Sequence, residues 1–293
     1  MIDKMKSTSI FDTLILVSIV SIVSLVSLSS MKKEKPVIKE ETVFYKVDTT
    51  LLKGFAAYPA DATVKHPAIL IVPEWWGLND YVKGRARQLA ELGYVAFAAD
   101  MFGNGKVATE PKQAMEFTSP FYKDPHLAYK FLDAAQKEIL KIKQADANNI
   151  AAIGYCFGGY IVLNAAKLGA DLKGIVSFHG GLGGVTPDKD LLKAKILICH
   201  GDADKFVTLK DVETFKRQMD SIKADYTYKS YANATHAFTN SEATSIGKKF
   251  NMPIEYNGKA DTASWKDMEV FFKEIFVTVR LVLNFQMLIT TDG

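Results

Sequence analysis

The chain has 293 residues and a formal net charge of only +3, with its lysines scattered along it, which excludes an electrostatic case for nucleic-acid binding. Its two cysteines, Cys156 and Cys199, are too few for a disulfide framework. No CxxC, H-E-x-x-H or other metal-ligand spacing occurs, so neither a metal nor another cofactor is expected.

Residues 1–31 read as an address. Lys4 and Lys6 precede a charge-free stretch from Thr13 to Met31, with small residues at Ser27 and Ser29, the pattern of a secretory signal. The apolar part is long for a signal, so an uncleaved membrane anchor is the alternative. Either way the protein is expected to be exported, periplasmic or extracellular, with membrane contact only through this segment. Residues 32–41 are a Lys/Glu-rich linker, and 42–276 are ample for one α/β domain with a substantial core.

Strand-like segments at Val43–Asp48 and Gly54–Tyr58 read as an antiparallel pair at a sheet edge. Alternation then sets in: strand Ala68–Val72, helix Asp80–Leu92 closed by Gly93, strand Tyr94–Ala99, helix Pro125–Lys143, strand Asn149–Ile153. A buried helix, Gly159–Leu168, follows. Strand Gly174–Phe178, a loop to Pro187, strand Lys195–Cys199, helix Leu209–Ile222, strand Tyr226–Tyr231 and helix Ala263–Phe276 complete the series. Strands alternating with helices predict a mostly parallel central sheet with helices on both faces. The apolar, β-branched tail, 277–293, reads as an added strand or a poorly ordered extension.

Gly154-Tyr155-Cys156-Phe157-Gly158-Gly159 lies between a strand and a helix and has the form of a nucleophile elbow with cysteine in place of serine. Small residues on both sides permit the strained turn, and the helix N-terminus favours negative charge on sulfur. The alternative is a buried structural cysteine beside a glycine-rich packing turn. Cys199, closing an apolar run, reads as that kind of residue.

A cysteine nucleophile needs a base, and the base needs an orienting group. His236 follows Tyr226–Tyr231, and Asp202 and Asp204 follow Lys195–Cys199, giving the order nucleophile, acid, histidine. Asp204 is preferred because Phe206-Val207 can anchor it; Asp202 reads as a turn residue. His66 and His126 read as surface residues, whereas His179 and His200 end strands on the active face.

The elbow, Gly201-Asp202-Ala203-Asp204-Lys205-Phe206-Val207, His236-Ala237-Phe238 and Pro73-Glu74-Trp75-Trp76-Gly77 together resemble the dienelactone hydrolase family, over about Thr42 to Phe276. The resemblance implies an α/β-hydrolase fold and hydrolysis of a small-molecule ester or lactone by Cys156, Asp204 and His236. It also implies Glu74 as a carboxylate that keeps the resting thiol protonated, and backbone N–H groups of Trp75 and Phe157 as an oxyanion hole. Glu74 as a partner of Arg85 or Arg87 is the structural alternative. Trp76, Phe102 and Tyr155 are expected at the substrate pocket, and a monomer is expected. The family grips a substrate carboxylate with arginines, one just after the histidine motif; here that place reads Phe238-Thr239-Asn240-Ser241, and the segment after Phe102 offers only lysines such as Lys106 and Lys112. A different ester or lactone is therefore expected as substrate. The rival reading is a non-catalytic exported binding domain that retains the fold.

Overall fold

The computed structural model describes residues 36–289, with side chains through Phe276. Eight strands form one sheet: β1 (Ile38–Val47), β2 (Thr50–Pro59), β3 (His66–Val72), β4 (Val95–Ala98), β5 (Ala145–Tyr155), β6 (Gly174–Phe178), β7 (Lys195–Gly201) and β8 (Tyr226–Tyr231). Their order is β1-β2-β4-β3-β5-β6-β7-β8. β1, β2 and β4 pair antiparallel, and every pair from β4 to β8 is parallel. This is the mostly parallel sheet that the alternation predicts and the α/β-hydrolase fold that the resemblance implies.

The central strands are apolar on both faces because helices cover both. Ile69, Leu70 and Ile71 of β3 are all fully buried, each worth about 2 kcal/mol of burial. One face packs on α3 (Pro125–Ile139), α4 (Phe157–Lys167) and α5 (Leu209–Ser221) through residues such as Leu132, Ile161 and Phe215. The other packs on α1 (Asp80–Glu91) and α7 (Gly258–Ile289) through Val82, Leu89, Met268 and Phe272. α2 (Pro111–Lys123) and α6 (Ala243–Phe250) are further helices that the sequence pattern did not announce.

Both ends of the domain differ from expectation. β1 begins at Ile38, inside the segment read as linker, because its full length pairs with β2 from Ile38–Pro59 to Val47–Thr50. The charges that suggested a linker, Lys39, Glu40 and Glu41, are those of a solvated edge strand. The tail does not form a strand: the α7 backbone stays helical to Ile289, continuing the helix that begins at Gly258. The signal or anchor reading concerns residues 1–31, outside the described residues. Among the described residues no helix is long and apolar enough to cross a membrane.

The topology locates the site. From β3 the chain crosses through α1 to β4 on one side, then returns to place β5 on the other side of β3. The crevice outside the carboxyl ends of β3 and β5 is therefore the switch point where ligands bind in open parallel sheets. Glu74 follows β3 after Pro73, and Cys156 follows β5 directly.

Candidate active site

Cys156 sits at φ 54° and ψ −113°, a backbone conformation strained for a residue with a Cβ. The glycines around it explain how the turn is tolerated. A Cβ on Gly154 would collide with the Gly158 carbonyl, and one on Gly158 with the Val72 carbonyl. The elbow is thus pressed against the end of β3, and α4 begins at the next residue. No backbone or side-chain acceptor takes the N–H of Phe157 or Trp75 among the described residues.

His236 Nε2 lies 3.0 Å from Cys156 Sγ, and its Nδ1 lies 2.7 Å from Asp204 Oδ2. Asp204 Oδ1 accepts from the backbone N–H groups of Phe206 at 2.7 Å and Val207 at 3.2 Å, so the expected anchor is made by amides. Burial opposes the charge on Asp204, but the His236 hydrogen bond and those two amides win and lower its pKa. Burial also opposes a charged His236; a negative charge on the Cys156 sulfur, once it forms, and the Asp204 hydrogen bond outweigh burial and hold the pKa well above the ordinary value. The arrangement can store the thiol proton on imidazole and return it later. Asp202 Oδ1 accepts from Asn233 N at 2.6 Å, tying two loops together as a turn residue would.

Glu74 is 2% exposed and accepts from Asn240 Nδ2 at 2.7 Å; burial raises its pKa to about 7. Its alternative partners are engaged elsewhere, Arg85 with Asp261 and Arg87 with Glu40. Glu74, Cys156 and His236 open into one cavity of about 640 Å³. Its walls are largely apolar: Trp75 and Trp76 after β3, Met115 and Tyr122 on α2, Phe206 and Val207 beside Asp204, and Met252 and Ile254 after α6. Lys123 is the one Lys or Arg among the described lining residues.

Of the aromatic residues expected at the pocket, Trp76 lines it and two do not. Tyr155 is fully buried on the α1/α7 side of the sheet, stacked on Phe178 at 4.8 Å. It shares a strand face with Ile153, as period-two alternation requires. Phe102 packs behind the wall against Phe117, Phe121 and Phe157. His179 and His200 are buried and line no part of the cavity, and Cys199 is a fully buried strand residue with its pKa pushed up to about 12 by burial. Met115, Tyr122, Met252 and Ile254 escaped sequence reasoning because α2 and α6 did.

The sequence matches the dienelactone hydrolase family over residues 52–276. It is 24% identical over 238 residues to a protein of Aquifex aeolicus (strain VF5) that carries a provisional carboxymethylenebutenolidase name, covering 80% of this chain and 97% of that one. It is 32% identical over 148 residues to an uncharacterized protein of Caenorhabditis elegans, covering 50% of this chain and 92% of that one. The crystal structure of a dienelactone hydrolase-like promiscuous phosphotriesterase from metagenomic libraries superposes with a TM-score of 0.77 at 31% identity, covering 81% of this chain and 98% of that chain. The chain belongs to the dienelactone hydrolase family and is a hydrolase of the α/β-hydrolase fold.

Proposed function

We propose that the protein hydrolyses esters or lactones with uncharged, apolar acyl groups, through a Cys156–His236–Asp204 triad and a thioester acyl-enzyme. The observation that carries this reading is the pair of contacts made by one imidazole, 3.0 Å to Cys156 Sγ and 2.7 Å to Asp204 Oδ2. The thiol proton passes to His236 Nε2 as Sγ bonds to the carbonyl carbon. The oxyanion accepts from the N–H groups of Trp75 and Phe157, each worth roughly 3 kcal/mol of transition-state stabilisation. Collapse breaks the carbon–oxygen bond, and the leaving alkoxide takes the proton from His236. Water then attacks the thioester, giving its proton to His236, and the thiolate leaves and recovers it. Glu74 is assigned as the carboxylate that discourages a free thiolate in the resting site.

The apolar walls favour a neutral substrate, and among the residues with described side chains no guanidinium group lines the cavity: Arg85 and Arg87 are paired, and Arg217 donates to Thr214 on its own helix. Export by residues 1–31, as signal or anchor, belongs to the same proposal and is tested by cell fractionation with N-terminal sequencing of the mature protein. The enzymatic test is p-nitrophenyl butyrate hydrolysis, with rapid quenching and mass measurement of the protein. A butyryl adduct on the peptide containing Cys156, absent in Cys156→Ala, is the expected result; turnover that survives Cys156→Ala refutes the nucleophile.

A further inference from the structure

His179 has no part in the chemistry above, yet it touches both halves of it. It follows β6, is wholly buried, and has φ 41°, left-handed for a residue with a side chain. Its ring stands edge-on to His236 at 5.3 Å between centroids and to Phe238 at 5.2 Å. Nδ1 accepts from the Cys156 amide at 3.1 Å, and the same amide donates to Phe178 O at 2.9 Å. A ring nitrogen that accepts carries no proton, so the neutral ring has its proton on Nε2. Nε2 lies 2.8 Å from Thr239 Oγ1, which lies 2.7 Å from the Tyr81 hydroxyl.

The link joins two points that must keep a fixed separation. At one end is the amide of Cys156, whose backbone at φ 54° and ψ −113° is strained and persists only if its surroundings enforce it. At the other is Thr239, in the segment that continues from His236. Arg85 Nη2 donates to the carbonyl of that same Thr239 at 2.6 Å, so the far anchor is itself held. An imidazolium would fail here, because a proton on Nδ1 would face the Cys156 N–H. Burial, reinforced by His236 whenever it carries the thiol proton and by the positive charge of Arg85, keeps the His179 pKa well below the ordinary value and the ring neutral.

We propose that His179 is a positioning residue whose neutral imidazole ties the Cys156 backbone to Thr239 and thereby sets the distance from sulfur to His236. The proposal rests on Cys156 being the nucleophile. His179 touches neither the sulfur nor the cavity, so it acts only through Cys156 and the His236 segment. A histidine kept for packing alone would fill the same space without the two polar contacts mattering, and that difference is measurable.

His179→Asn keeps an acceptor near the Nδ1 position, whereas His179→Gln keeps a donor near Nε2 and loses that acceptor. The full chain and each variant are compared by p-nitrophenyl butyrate kinetics, by the rate of Cys156 alkylation with iodoacetamide, and by thermal melting. Loss of one positioning hydrogen bond should lower kcat of His179→Gln about tenfold with little change in KM. Alkylation should slow in parallel, and His179→Asn should recover part of both. Thr239→Val removes the far hydroxyl from a side chain of similar shape and should lower kcat about threefold at unchanged KM. Equal losses in the Asn and Gln variants that track their melting temperatures would overturn the proposal, as would wild-type kcat and alkylation in Thr239→Val. If the unmodified protein does not hydrolyse the butyrate ester, the ester reading fails, while the alkylation rates still decide the role of His179.

Discussion

Asn240 Nδ2 donates to Glu74 Oε2 at 2.7 Å, while Glu74 Oε1 is sealed from solvent with no partner among the described residues. Burial raises the pKa from the ordinary 4.5 to about 7. Between those two values the unfolded chain releases the proton and the folded chain keeps it. The folded state binds more protons there, so stability falls as pH rises and the loss is complete above about 7. Glu74→Gln abolishes this titration. Its stability relative to the unaltered protein should improve by on the order of 3 kcal/mol between about pH 4 and about pH 8. Urea unfolding at the two pH values checks it; a difference independent of pH refutes it.

Asp204→Asn preserves an oxygen that can accept from the Phe206 and Val207 amides, so the loop should keep its shape. What is lost is the carboxylate charge that faces Nδ1 of His236 and the tautomer it imposes. In a triad this change costs kcat on the order of 10³-fold or more with the fold intact. Steady-state kinetics beside a circular dichroism melt separate the two effects. Full activity in a folded Asp204→Asn protein would remove Asp204 from the triad.

Much of this site was legible because its chemistry sits at strand ends. Strands β3, β5 and β7 each hold an apolar run, at 68–72, 150–153 and 196–199, and Glu74, Cys156 and Asp204 follow these runs in glycine- or proline-marked turns. The pocket wall was harder to read. α2 carries Pro111 at its start and Pro120 within it, and its buried face is only Ala114, Thr118 and Phe121, which leaves a weak helical signal. α6 has just eight residues, too few for periodicity to stand out. Tyr155 adjoins Cys156 in sequence, but it is the last residue of β5 and shares the face of Ile153, whereas Cys156 belongs to the turn beyond the strand. The Glu74–Asn240 and His179–Cys156 contacts span 166 and 23 residues and are products of the fold that no local pattern announces.

Arg85 is 7% exposed, donates to Asp261 and to the Thr239 carbonyl at 2.6 Å each, and lies over the Tyr81 and Trp265 rings. Removing its carboxylate partner leaves a nearly buried cation uncompensated, which costs about 3–5 kcal/mol. Asp261→Asn should therefore destabilise by roughly that amount. Arg85→Met combined with Asp261→Asn should cost clearly less than the sum of the two single changes, because neither charge is then left behind. Chemical denaturation of the four proteins provides the cycle. Additive losses would mean that the pair contributes no coupling.

Substrate charge is decided by how little Lys123 can offer. It ends α2 in an exposed position, where an ion pair is worth about 0.2–1 kcal/mol, at most about fivefold in affinity. Desolvating a substrate carboxylate against Trp75, Trp76 and Ile254 costs several kcal/mol unless hydrogen bonds replace its water, and the donors that the Trp75 and Trp76 rings, Ser119 and Tyr122 add to this lining carry no positive charge. Desolvation therefore wins. A p-nitrophenyl butyrate ester should be cleaved with a kcat/KM at least about tenfold above that of the matching hemisuccinate ester, with the difference mostly in KM. Lys123→Met should widen the ratio by no more than about fivefold. Equal kcat/KM for the two esters would show that the cavity contains a carboxylate-binding element, and the neutral-substrate assignment would be wrong.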